Sequence, residues 1–171
     1  MDHEAYAFKR AKQQAYRLLS FRNRTAHELR HRLRQRGHTD AVIEAVLCDL
    51  KGAGYVNDRK FMCDWARYRL QAKPLGRRRL AWEMQKRGLD RELVEDILNE
   101  IYTEFEEVAL AEQAARKRLR MLDDLPSARL RQQLARYLMG LGFEPDTIGE
   151  ALTAISPSVG PLDVALPDDP S

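Results

Sequence analysis

Residues 80–101 read LAWEMQKRGLDRELVEDILNEI, and the reading turns on the glycine at position 88. Leu80 and Met84 stand eight and four residues before it, the spacing of one face of a helix. Val94, Leu98 and Ile101 stand six, ten and thirteen after it, one face of a second helix. A glycine between two such stripes supplies the left-handed backbone that closes the first helix, and Asp90 stands where the second would be capped. The same frame recurs around Gly37 and Gly142, at spacings of 51 and 54 residues. Leu29, Leu33, Ile43, Leu47 and Leu50 fill the apolar columns of the first copy; Leu134, Leu138, Ile148, Leu152 and Ile155 fill those of the third. Self-similarity at a fixed period of this length marks a tandem architecture.

A further helical stretch precedes each copy, at residues 6–20, 61–71 and 105–122, with apolar faces such as Ala15, Leu18 and Leu19 or Val108, Ala111 and Ala115. The chain therefore reads as all-α: three tandem three-helix modules at residues 5–58, 59–102 and 103–155, forming an elongated, curved helical-repeat body. Thr25 and Glu28 have the spacing of a capping box, Thr39 matches Asp90 as an N-cap, and Pro74 and Pro126 precede the equivalent helices. Arg36 and Arg87 fall in a last turn, where the helix dipole favours a cation. Gly149 is expected to interrupt the last helix. Residues 156–171, SPSVGPLDVALPDDPS, hold four of the seven prolines and read as a disordered tail.

Charge is segregated. Lys9 to Arg36 carries ten Lys/Arg against the single acid Glu28; Arg67 to Gly88 carries eight against Glu83; Asp90 to Glu107 carries eight acids against Arg91. Such blocks suit a polyanionic partner or a charged protein groove. No run reaches the roughly 18–20 apolar residues of a membrane span, and the first residues lack the apolar core of a signal peptide; a cytoplasmic protein is expected. Cys48 and Cys63 read as reduced, buried, helix-borne thiols. His27 and His31 are four apart but have no third ligand, so no metal is expected. No phosphate loop, zinc-protease motif, CxxC or nucleophile elbow occurs. Neither an enzyme nor a cofactor is expected.

The arginine run before Gly88 supplies the candidate surface. With Leu80 at zero and about 100° per residue, Met84 and Arg77 fall on or beside the buried side. Arg78, Arg79, Trp82 and Lys86 fall on the outer arc. Trp82 is then an interface anchor or stacking platform among cations, or packs on a neighbouring module. Arg30 and Arg34 flank one side of the Leu29/Leu33 stripe, Arg32 and Arg36 the other. Their stems suit cover for a core edge, and their number across two modules raises a shared electropositive surface.

At this point a family pattern is recognisable. LLSFRNRTAHELRHRLRQRG (18–37), GAGYVNDRKF (52–61) and LGRRRLAWEMQKRGLDRELVEDIL (75–98) resemble the RecX family of bacterial recombination regulators. Leu18, Leu19, Arg22, Thr25, Glu28, Leu29, Leu33 and Gly37 carry the first match. Gly54, Tyr55, Val56, Asn57, Asp58 and Phe61 carry the second; Gly76, Arg78, Leu80, Glu83, Lys86, Gly88 and Asp90 carry the third. The family often places Gly-Pro before the second basic cluster, where this chain has Pro74-Leu75-Gly76, and a small polar residue where it has Trp82. The resemblance implies a non-enzymatic modulator that lies in the groove of the RecA–DNA filament and suppresses its ATPase, strand-exchange and coprotease activities in DNA repair, recombination and the SOS response. It points to RecA and the RecA–DNA filament as partners, with single- or double-stranded DNA as a further one, and to no small-molecule substrate. On this reading Arg77, Arg78, Arg79, Trp82 and Lys86, with Arg30 and Arg34, form the partner surface, while Tyr55, Asp58 and Phe61 set the joint between modules one and two. A direct DNA-binding protein of helix-turn-helix type and a plain helical adaptor are the alternatives.

Overall fold

The computed structural model describes residues 2–122 and 127–155. Among them are nine helices and no strand: α1 (Asp2–Phe21), α2 (Ala26–Gln35), α3 (Asp40–Gly52), α4 (Asp58–Ala72), α5 (Arg77–Gln85), α6 (Arg91–Glu104), α7 (Glu107–Leu119), α8 (Ser127–Gly140) and α9 (Pro145–Ala154). Taken in threes they are the expected tandem modules. Pro126 and residues 156–171, including the expected tail, lie outside the described residues.

The glycine column does what its chemistry allows. Gly37, Gly88 and Gly142 have φ of 83°, 84° and 87°, a conformation in which any Cβ is disfavoured. The next amide then reaches back across each turn: His38 N–H to the Leu33 carbonyl at 3.3 Å, Leu89 to Met84 at 3.4 Å, Phe143 to Leu138 at 3.3 Å. This is the 6→1 bond of a Schellman closure, made three times on the same two columns. Every apolar column residue of all three copies is buried.

Some expectations are corrected. Thr25 caps α2, accepting the Glu28 N–H at 3.1 Å, but the Glu28 carboxylate bonds Arg22 and Arg87. Asp90 caps α6 through the Leu93 N–H at 2.8 Å, whereas Thr39 makes no side-chain cap bond. Gly149 does not interrupt α9: Ile148, Ala151 and Leu152 hold that helix to the core on either side of it. Cys63 is buried, but Cys48 is exposed, because it stands eleven residues after its glycine, in a column it shares with Asn99 and Thr153.

The described residues form two compact units: residues 2–68 with 81–101, and residues 69–80 with the described ones from 102 onward. The divisions fall within α4, α5 and α6, so the middle module contributes to both. In the first unit α1, α2 and α3 pack pairwise around Ala11, Ala15, Leu29, Leu33, Ile43 and Leu47. In the second, α7, α8 and α9 pack pairwise, burying Ala111, Ala115, Leu134, Leu138 and Phe143.

Each unit contains one joint between successive modules. In the first unit, Asp58, which opens α4, accepts the Ala26 N–H at the start of α2 at 2.9 Å. The Thr25 hydroxyl donates to the Arg87 carbonyl at 2.7 Å. The Arg87 guanidinium lies 3.1 Å from the Glu28 carboxylate and 5.0 Å from the Trp65 ring centroid. In the second unit, Glu107, which opens α7, accepts the Arg77 N–H at the start of α5 at 2.8 Å. The Gly76 N–H donates to the Leu141 carbonyl at 3.0 Å. Thr25 and Gly76 both stand twelve residues before their glycines, Ala26 and Arg77 eleven, Arg87 and Leu141 one. One joint is therefore built twice, from a hydroxyl in one case and a bare backbone amide in the other. Tyr102 adds a bond from its hydroxyl to the Leu75 carbonyl at 2.9 Å, and burial pushes its phenol well above the ordinary range.

Candidate interaction surface

Helix α5 carries most of the expected partner surface. Its first N–H is held by the Glu107 carboxylate, an acid at a helix N-terminus where the dipole favours it. Leu80 and Met84 are fully buried and turn the opposite side outward. Arg77 is half-buried; Arg78 and Arg79 are exposed. Arg78 Nε lies 3.5 Å from Glu144, an exposed pair of little energetic weight. Trp82 is 44 % exposed, and the Lys86 Nζ sits 4.0 Å from its ring centroid, a cation–π contact that sets a charge on the indole. The same column holds His31 and Arg136 in the other modules, both exposed. Such a helix offers an aromatic plane and guanidinium groups to an apolar anchor, a carboxylate or a phosphate.

Arg30 and Arg34 are differently placed. Arg30 grips Glu44 with two bonds, at 2.6 and 3.0 Å, and holds that carboxyl below its usual range. Arg34 bonds Asp40 at 2.9 and 2.7 Å. Both guanidinium groups bridge α2 to α3, so the fold gives each an internal carboxylate partner.

Of the expected joint residues, Asp58 accepts the first N–H of α2. Tyr55 stays exposed and meets Tyr16 edge-on, ring centroids 5.0 Å apart. Phe61 is half-buried and lines a small cleft with Leu19, Arg24 and Tyr55. Reading the sequence alone misses Glu107, the counterpart of Asp58 in the next joint.

It also misses a cleft on the first module, lined by Arg10, Arg17, Arg36 and Phe21, the last 85 % exposed. These three arginines have no ion pair among the described residues, whereas Lys12 is bonded to Asp49 and Arg22 to Glu28. The signal was present in the charge count: ten cations and one acid between Lys9 and Arg36 cannot all be paired locally. Three guanidinium groups beside a bare aromatic ring suit a polyanion with flat bases. His31 bonds Gln35 at 2.9 Å, and His27, though exposed, packs over Gly88. Among the described residues no group of three His, Cys, Asp or Glu is placed to hold a metal ion, and no helix is long and apolar enough to cross a membrane.

Comparison with known proteins gives one consistent answer. Three family models match in tandem: the first three-helix domain of RecX over residues 11–50, the second over 57–98 and the third over 105–152. The regulatory protein RecX of Pelodictyon phaeoclathratiforme is 33 % identical over 138 residues, covering 81 % of this chain and 84 % of its own. That of Caldanaerobacter subterraneus subsp. tengcongensis is 33 % identical over 144 residues, covering 84 % and 70 %. The crystal structure of RecX from Lactobacillus salivarius is similar in fold, with a TM-score of 0.83 at 20 % identity over 88 % of this chain and 97 % of that one.

Proposed function

This chain belongs to the RecX family of regulatory proteins, and from that premise we propose that it binds RecA and RecA–DNA filaments and inhibits their recombinase, ATPase and coprotease activities. It acts by binding rather than by catalysis. The observation that carries the reading is the tandem match of all three family domains, each spanning one glycine turn and the buried columns from eight residues before it to ten after. Modules repeated along one chain suit a partner that is itself a repeating polymer, since linked contacts gain avidity without any single strong site. Arg77, Arg78, Arg79, Trp82 and Lys86 are the residues assigned to the partner. Arg30 and Arg34 contribute charge at the margin, because each must share its guanidinium with an internal carboxylate.

The test is the DNA-dependent ATPase of RecA, titrated with this protein at substoichiometric ratios. Inhibition is expected, and no inhibition at stoichiometric excess would overturn the reading. Reversing the charge at Arg78→Glu with Arg79→Glu is expected to weaken inhibition by about ten-fold, the scale of losing a central interface anchor, while far-ultraviolet circular dichroism stays that of the parent. Unaltered inhibition removes α5 from the contact.

One observation favours a second reading, direct DNA binding: Arg10, Arg17 and Arg36, without an ion pair among the described residues, lie beside the exposed Phe21 ring. A direct binder holds naked DNA with an affinity that falls steeply with salt. A filament modulator binds RecA–DNA far more tightly than DNA alone.

A further inference from the structure

In the first module the edge where α2 meets α3 is closed by two ion pairs, Arg30–Glu44 at 2.6 Å and Arg34–Asp40 at 2.7 Å. The arginines stand seven and three residues before Gly37, the acids seven and three after it. The same four places around Gly142 hold Ala135, Met139, Gly149 and Pro145. No charge remains, and the edge between α8 and α9 is an open groove of about 670 Å³. Ile148 and Leu152 form its apolar floor, and Met139 at its margin is 54 % exposed.

Gly149 is an independent sign. It lies inside the continuous helix α9, where glycine is the least favourable residue short of proline. Its φ is not left-handed, and a Cβ built on it would meet nothing within 4 Å. Neither backbone nor packing in this chain requires a glycine there. The missing side chain does have one effect: it deepens the groove. A residue unfavourable for its own helix, and set in the wall of an apolar cleft, is explained by something that enters the cleft.

The rim fixes the chemistry of that occupant. Arg129 and Arg131 line the groove, no acidic residue does, and neither arginine has an ion pair among the described residues. We infer that the α8–α9 groove docks a short acidic segment of the partner protein. An aliphatic or aromatic anchor enters between Met139 and Gly149 while flanking carboxylates meet Arg129 and Arg131, the pattern of an apolar centre with a charged rim. The inference rests on the RecA reading above, in that RecA supplies the segment.

The experiment measures binding of the labelled full chain to RecA–DNA filaments, with thermal melting of each variant alongside. Gly149→Leu fills the groove with a better helix former, so the midpoint holds or rises while affinity falls about ten-fold or more. Gly149→Ala raises the midpoint with a smaller loss of affinity. Arg129→Glu with Arg131→Glu weakens binding most at low salt. If both Gly149 variants bind like the parent, the groove proposal falls while the RecA reading stands; if the parent itself fails to bind, that reading falls and takes its occupant with it. A second set of outcomes is that Gly149→Leu leaves filament affinity intact while dissociating a dimer, or while abolishing binding of a synthetic peptide of residues 156–171. Either result assigns the groove to a second copy or to the chain's own tail, and overturns the proposal.

Discussion

Gly37 and Gly88 have nearly the same backbone, φ 83° and 84°, yet they are not equivalent residues. A Cβ on Gly37 would meet nothing within 4 Å, while one on Gly88 would run into the His27 side chain. Gly37→Ala is therefore expected to cost about 1–2 kcal/mol, the left-handed backbone alone. Gly88→Ala carries that cost and about 1–3 kcal/mol more from overpacking, and adding His27→Gly, which removes the His27 Cβ as well as the ring, should return part of the excess. Chemical denaturation of the four proteins checks this, and equal losses at the two glycines would show that the His27 contact is absent in solution. The turn itself was legible in the sequence because left-handed backbone is a property of one residue type. The contact was not, since His27 and Gly88 are 61 positions apart. Cys48 shows a signal that was present and unused. Thiol chemistry alone favours burial, but its column mates Asn99 and Thr153 are polar, and the period of the helix places all three outward.

Between elements, the chain uses an acid that opens one module to hold the N-terminal amide of the second helix in the module before. Asp58→Ala is expected to cost about 1–2 kcal/mol, the worth of a charge-assisted bond to a helix N-terminus, and to speed exchange of the first amides of α2. Glu107→Ala is expected to do the same to α5. Exchange that rises uniformly, or not at all, in either variant would show that the bond does not hold that helix end. Asp58 could be picked from the sequence through its place in GAGYVNDRKF. Glu107 could not, because it stands 35 residues before its glycine where Asp58 stands 30 before its own, so alignment on the glycines separates the pair. The alternation of ion pair and open groove at the α2–α3 and α8–α9 edges was hidden for a different reason. The columns that carry it are the outward ones, which a search for buried periodicity passes over.

At the scale of the molecule the sequence repeat and the packed units do not share boundaries, since α4, α5 and α6 are each divided between units. The middle module is therefore the least self-sufficient of the three. Its second helix, α5, has nine residues, too short to persist in water without tertiary support. The first N–H of α5 is held by Glu107 from the following module, and the turn that ends it is held by Thr25 from the preceding one. A fragment of residues 59–102 loses both supports at once, and a unit of that length buries little apolar surface by itself. We expect it to melt without a cooperative transition by circular dichroism, while the full chain, with both joints present, melts cooperatively. Restoring residues 1–58 should recover the Thr25 joint and a cooperative melt, with α5 still exchanging faster than in the full chain for want of Glu107. A sharp two-state melt of the isolated fragment would show that the module's own columns suffice, and that the joints align modules without stabilising them.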